Sequence, residues 1–201
     1  VAAILTCSAC RGVEAPGLGA DGPGFDADGF LQCPHMAQTL TQIRSLLAAY
    51  GLAPKKRFGQ NFLHDGNQMA RILAAAQVQP DDVVLEVGPG TGALTGRLLE
   101  AGARVVAVEV DRDLEPLLHE QFASCGERLV LVVDDVLTGK HTINPRVIEA
   151  LRAIGHGGAD VPPFKLIANL PYNIASPLLV NLAVDHPAMR SAIVMVQREV
   201  A

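Results

Sequence analysis

VVLEVGPGTG, residues 83–92, is the stretch on which the fold turns. Its first half is a short apolar run broken by one acid. Together with Asp82 it reads as a strand buried on both faces (82–87). Its second half places glycines at 88, 90 and 92, and a helical pattern runs from Thr91 to Glu100. Glycines between a strand and a helix let the backbone approach a ligand closely. The dinucleotide fingerprint is G-x-G-x-x-G. Here the third glycine comes one residue early, Pro89 sits inside the loop, and an acid, Glu86, stands before it. The form E-x-G-x-G-x-G thus departs from that fingerprint and points to a different nucleoside-type ligand. A purely structural glycine turn is the alternative.

Outward from this stretch, strands and helices alternate. Downstream, 104–109 (RVVAVE), 129–133 (LVLVV), 164–169 (FKLIAN) and 191–196 (SAIVMV) read as strands. Between them lie helical patterns at 114–122, at 144–154 with Asn144 as cap and Pro145 in the first turn, and from near Ile174 through Val184. Upstream, Leu40, Ile43, Leu46, Leu47 and Tyr50 recur at helical spacing until Gly51. A loop, PKKRFGQNFLH (54–64), follows, and then Asp65 caps a helix carrying Met69, Ile72, Leu73 and Ala76. Five strands with helical crossovers predict an α/β, doubly wound, Rossmann-like parallel sheet, with ligands at the carboxyl ends of its strands.

Composition agrees. The chain of 201 residues is 49% hydrophobic but only 4% aromatic, with no Trp, so its core must be aliphatic. The net charge of −5 argues mildly against a nucleic-acid binder. The charge is uneven, however. Residues 1–35 hold one base, Arg11, and four acids, Glu14, Asp21, Asp26 and Asp28, leaving 15 bases against 17 acids for the rest. A local basic patch remains available, and Lys55-Lys56-Arg57 is the candidate. Residues 11–35 show neither helical nor strand period and are rich in Gly and Pro. Residues 1–35 therefore read as a disordered or spurious extension before Met36, and 36–201 as the catalytic domain. Cys7-x-x-Cys10 with Cys33 and His35 has the outline of a zinc knuckle, but no second C-x-x-C pair exists, so no metal is expected. Cys125 reads as a free thiol, and a reducing, cytoplasmic setting fits. No apolar run approaches the ~20 residues of a membrane span.

The strand ends carry the chemistry. Gly88 and Gly90 would cradle the ligand backbone to backbone. Glu109, 21 residues on from Gly88, ends the second strand, where a carboxylate accepts ribose hydroxyls; it suits NAD and S-adenosylmethionine equally. After the third strand stand Asp134 and Asp135. A carboxylate here can take an adenine amino group, and Asp135 leads into an apolar Val136-Leu137 step that could cover the ring, whereas Asp134 reads as a strand-end acid. The fourth strand ends in Asn169-Leu170-Pro171-Tyr172. The Asn169 amide oxygen and the Leu170 carbonyl can accept the two hydrogens of a planar amine such as adenine N6. That localises a lone pair otherwise delocalised into the ring. Pro171 fixes the turn and Tyr172 can stack on the base. Catalysis of this kind is mostly positioning, and a target base must leave its stack to reach the pocket.

GQNFLHD (59–65), EVGPGTG (86–92), VEVD (108–111), DDVL (134–137), IANLPYNIASPLL (167–179) and MVQREVA (195–201) together resemble the KsgA/RsmA family, the ribosomal small-subunit RNA adenine dimethyltransferases. The resemblance runs from about Lys55 to the last residue. It implies a class I S-adenosylmethionine-dependent methyltransferase fold, with S-adenosyl-L-methionine as cofactor. Asn61 and Leu63 would line the cofactor site beside Gly88, Glu109, Asp135 and Asn169. The implied reaction adds two methyls to each of two adjacent adenosines near the 3′ end of 16S rRNA in a small-subunit precursor, by a monomeric cytoplasmic enzyme. Lys55, Lys56 and Arg57 would hold RNA phosphates, a solvated charge run being the alternative.

Three departures from the family pattern stand out. Residues 1–35 have no counterpart in it. The stretch from Asp135 to Asn169 is longer than usual, its surplus holding the 144–154 helix and GHGGADVPP (155–163), read as a neutral surface insertion with RNA contact as the alternative. The sixth and seventh strands of the fold, and a small helical domain, do not follow the fifth strand. The sheet is thus expected to stop at SAIVMV, an uncovered apolar edge, in a fragment poorly stable or inactive alone. Two other functions stay open: large-subunit rRNA methylation of the antibiotic-resistance type, and a non-catalytic ribosome-assembly factor. An NAD-dependent oxidoreductase is disfavoured by the early third glycine, Pro89 and the NLPY motif.

Overall fold

The computed structural model describes residues 39–53, 55, 62–63, 65–139, 142–155, 158, 160–170 and 172–195. The expectations for residues 1–35 therefore lie outside the described residues. Five strands, β1 (Val83–Val87), β2 (Arg104–Glu109), β3 (Leu129–Val133), β4 (Phe164–Asn169) and β5 (Met189–Met195), form one parallel sheet in the order β3-β2-β1-β4-β5. Val83 pairs with Arg104 on one side and with Phe164 on the other. The doubly wound sheet expected from the alternation of elements is what the chain forms.

Side chains on each strand alternate between two cores, as the period of two requires. Leu85, Val106, Leu166 and Val194 face one layer with Val147 and Leu151 of α5 (Pro145–Ile154) and Leu178 and Leu182 of α6 (Tyr172–Asp185). Val84, Val105, Ile167 and Ile193 face the other. There they meet Ile43 of α1 (Leu40–Ala49), Ile72 of α2 (Gly66–Ala76), Leu98 of α3 (Ala93–Glu100) and Leu117 of α4 (Glu115–Gln121). Local chemistry fixes the helix ends. Thr39 and Gln42 form a reciprocal capping box, and Asp65 accepts the Asn67 N–H at 2.9 Å. At the other end of α2 the Lys165 ammonium donates to the carbonyls of Ala76 (3.0 Å) and Gln77 (2.7 Å). This cation at the negative pole of α2 ties the helix to β4.

Some expectations need correction. The 144–154 helix is no surface insertion. As α5 it buries Val147, Ile148, Ala150, Leu151 and Ile154 against the sheet, because a parallel step from β3 to β4 demands a covering crossover. Helix α6 begins at Tyr172 rather than near Ile174, which leaves Pro177 inside it at the cost of one interior hydrogen bond. Strand β5 begins at Met189, two residues early, since Met189 still pairs with Phe164 across a register shift. Ala192, Ile193, Val194 and Met195 are buried, with Ala192 and Val194 on one face and Ile193 and Met195 on the other. Among the described residues β5 pairs only with β4, so what it leaves open is its outer backbone and not its apolar faces. Cys125 is buried, packed in the core on the α1–α4 side of the sheet. No helix among the described residues is long and apolar enough to cross a membrane.

Candidate active site at the strand ends

The chain lays β2 and β3 on one side of β1, then crosses to place β4 and β5 on the other. The crevice at such a switch point lies beyond the carboxyl ends of β1 and β4. The glycine loop occupies it. The Gly88 N–H donates to the Val108 carbonyl (2.9 Å), which ties the loop to β2. Gly90 (φ 59°) donates its N–H to Glu109 Oε2 at 3.1 Å. A Cβ at Gly90 would lie 2.9 Å from Cδ1 of Phe62, so the aromatic of the GQNFL segment rests directly on the glycine loop.

Gly92 (φ 80°) caps α3 without a side chain, and a Cβ there would lie 2.5 Å from Cε2 of Phe122, a ring that is itself buried. Gly92→Ala therefore combines left-handed backbone strain with a clash against a buried ring. We expect it to cost about 2–4 kcal/mol of stability. Urea unfolding checks this, and an unchanged midpoint would rule out the clash.

Glu109 is 4% exposed and both its oxygens hold backbone: Oε2 takes Gly90, and Oε1 takes the Asp111 N–H at 2.9 Å. Burial pushes its carboxyl above the ordinary range, while the backbone donors pull it back toward the ionised form. The Val110 N–H also bears on this carboxylate, so the side chain shapes the loop through three backbone donors and keeps limited capacity for a further one. Asp111, also buried, receives the Lys55 ammonium at 2.5 Å, and Asp113 receives the same group. Lys55, read from sequence as a phosphate contact, is thus engaged by two carboxylates beside Glu109. Its own titration is raised by the hydrogen bonds to Asp111 and then Asp113.

Glu86 was absent from the expected site residues, although it belongs to the motif. It is 1% exposed, and its Oε2 has no hydrogen-bond partner among the described residues. Desolvation, aided by the nearby charge of Glu109, pushes its carboxyl up to about 8.

At the end of β3, Asp134 accepts the Asp135 N–H (2.9 Å) and Arg146 (3.0 Å). Those bonds, the Asp135 backbone first, hold its carboxyl below the usual range. Asp135 is exposed, and its Oδ1 accepts the Leu137 N–H at 2.9 Å; Val136 next to it is buried. Across the switch point Asn169 is half-buried at the end of β4, and the buried Leu170 donates its N–H to the Met195 carbonyl at 3.3 Å. A Cβ on Gly88 would lie 3.7 Å from the Asn169 carbonyl oxygen and 4.0 Å from Leu170 Cδ2. The first motif and the NLPY segment therefore abut.

Leu63 is half-buried and packs with Phe62 on the α1–α4 side of the sheet. Asn61, Lys56, Arg57 and Pro171 lie outside the described residues, and Tyr172 opens α6. Sequence reading missed Phe62, Asp111 and Asn144, which support the site through other residues. Phe62 carried a signal as the aromatic inside GQNFL, Asp111 as the acid that ends VEVD, and Asn144 only as a helix cap.

A family model described as ribosomal RNA adenine dimethylase matches residues 51–201. The ribosomal RNA small subunit methyltransferase A of Magnetococcus marinus is 45% identical over 160 residues, 80% of this chain and 53% of its own length. That of Mycolicibacterium gilvum is 42% identical over 165 residues, 80% of this chain and 48% of its own. The chain thus spans about half the length of the curated relatives it matches. Among solved structures, the 23S rRNA methyltransferase ErmE aligns with a TM-score of 0.52 at 31% identity, covering 69% of this chain and 49% of that one. A dimethyladenosine transferase from Plasmodium falciparum aligns at 0.51 and 27% identity, covering 69% and 44%.

Proposed function

We propose that this chain, which belongs to the ribosomal RNA adenine dimethylase family, uses S-adenosyl-L-methionine to dimethylate N6 of two adjacent adenosines near the 3′ end of 16S rRNA in a small-subunit precursor. The observation that carries the reading is the abutment of the glycine loop on Asn169-Leu170. It brings a nucleoside-holding loop and an amine receptor to one crevice.

The residues suit such a cofactor. Glu109 is a fixed carboxylate for ribose hydroxyls. Gly88 and Gly90 bring no side chain to the loop, so its backbone can be approached closely. Asp135 takes the cofactor's adenine amino group, Val136 lies under its ring, and Asn61 and Leu63 complete the lining. When bound, the cofactor supplies an electrophilic sulfonium methyl. Asn169 Oδ1 and the Leu170 carbonyl accept the hydrogens of the target amine and orient its lone pair, Pro171 fixes that turn, and Tyr172 stacks on the base. With Lys55 engaged by Asp111 and Asp113, phosphate contact falls to Lys56 and Arg57. The protein works in the cytoplasm as a monomer, without a membrane.

The likeness to ErmE favours a second reading, methylation of large-subunit RNA. The higher identity to small-subunit enzymes weighs for the first. Two experiments decide. Calorimetry with S-adenosylmethionine and NAD side by side should show binding of the former alone. Incubation with ribosomal particles, followed by mapping of dimethyladenosine, should place the product in 16S RNA. Product in 23S RNA would select the second reading, and particle binding without any product would leave an assembly factor.

A further inference from the structure

We propose that Asn144 is a positioning residue that makes the site selective for an adenine-bearing cofactor, by holding the Asp135 peptide in a fixed orientation. The inference rests on the reading of Asp135 as the acceptor for the cofactor's amino group.

Asn144 is 4% exposed, and both ends of its amide are used. Its Nδ2 donates to the Asp135 carbonyl at 2.8 Å, and its Oδ1 accepts the Arg146 N–H at 3.0 Å, capping α5. One end must donate and the other accept, so only this orientation of the amide satisfies both partners. The Asn144 backbone N–H also donates to the Val136 carbonyl at 2.9 Å. A single buried residue thus pins two successive carbonyls of the segment that ends β3.

The intervening chain folds back on itself to make this possible. Leu137 bridges Ile143 in antiparallel fashion, and the Thr138 N–H donates to the Thr142 carbonyl at 2.9 Å. The far anchor is firm, since Val147 and Leu151 of α5 are fully buried. At the near end, the Leu137 N–H holds Asp135 Oδ1 at 2.9 Å, which fixes the carboxylate against its own backbone. Core helix, Asn144 and Asp135 form one rigid train, and the exposed carboxylate at its tip is reachable by a ligand.

Rigidity here means selectivity. The 6-amino group of adenine donates to a carboxylate, whereas the 6-oxo group of hypoxanthine repels it. A carboxylate that cannot swing aside must reject the oxo ring, and a loosened one can turn away.

The test compares binding of S-adenosylhomocysteine and its inosine counterpart by calorimetry in the wild-type chain, Asn144→Ser, Asn144→Asp and Asp135→Ala. Ser and Asp both retain an acceptor for the Arg146 N–H, so α5 stays capped while the donor to Asp135 is lost. We expect the preference for the adenine ligand to fall about tenfold in both Asn144 variants; both also lower the melting temperature, Asn144→Asp the more, because it buries a carboxylate beside Asp134 and the Asp135 carbonyl. Two variants guard against one failing to fold. Equal weakening of both ligands would reduce Asn144 to a structural cap and overturn the proposal. So would an unchanged preference in the Asn144 variants while Asp135→Ala abolishes it. If Asp135→Ala itself leaves the preference intact, the reading of Asp135 fails, and the inference with it.

Discussion

Asn169→Ala lowers methyl transfer to adenosine N6 by about a thousandfold or more, while cofactor affinity falls by less than about tenfold. The reason lies in where charge develops. As an amine attacks a methyl group, its nitrogen becomes positive and its hydrogens become stronger donors. Acceptors placed at those hydrogens therefore bind the transition state more tightly than the ground state. In the proposed mechanism the Asn169 side chain, half-buried at the end of β4, would be one acceptor and the Leu170 carbonyl the other. The Leu170 peptide is steadied by its N–H bond to Met195 and by its buried side chain, so it remains in place when Asn169 is cut back. The loss should appear in kcat with KM for RNA little changed. Mass spectrometry of nucleosides from treated small-subunit particles measures it. Dimethyladenosine formed at near wild-type rate by Asn169→Ala would remove this residue from catalysis.

Glu86→Gln should make the protein more stable at alkaline pH, and by an amount large for one substitution. The Glu86 carboxyl is held at about 8 by burial, against an ordinary 4.5. Between those values the folded state keeps a proton that the unfolded state has lost, so stability falls as pH rises across the window. Below about 4.5 both states are protonated and the dependence vanishes; above about 8 the full cost of a buried charge is carried. At about 1.4 kcal/mol per pH unit, the effect is on the order of 3–5 kcal/mol. Glutamine has the same shape and no charge to bury. Urea midpoints for the two proteins should therefore coincide near pH 4.5 and separate progressively toward pH 9. Parallel curves across that range would mean that Glu86 is ionised at no cost, through a partner yet to be found.

Much of the fold was legible because periodicity is a local property. VVLEV and FKLIAN read as buried strands and are β1 and β4, and Asp65 and Asn144 read as caps and are caps. What misled was context. Length alone made α5 look like an insertion, although the same apolar face, Val147, Ile148, Leu151 and Ile154, states that it must be covered. The site divides the same way. Glu109 and Asn169 announce themselves by standing at strand ends. The clasp of Lys55 on Asp111 and the seat of Phe62 on Gly90 join segments far apart in sequence, and nothing in either segment names its partner. Asn144 was visible only as a helix cap, because the second end of its amide acts on a carbonyl nine positions earlier.

The sheet order has a kinetic side. Strands β1, β2 and β3 are chain neighbours, and so are β4 and β5, so each group can assemble over a short connection. The seam between β1 and β4 is different: Val83 must find Phe164, across everything that lies between them. Closing so long a loop costs entropy before any contact repays it, so this pairing is expected to form late in folding. The crevice straddles that seam. A molecule gripping the glycine loop on one bank and Asn169 on the other acts as a rivet across the last joint to form. Contacts made after the folding barrier slow unfolding far more than they speed folding. Cofactor should therefore lengthen the lifetime of the closed sheet while leaving its rate of assembly almost untouched.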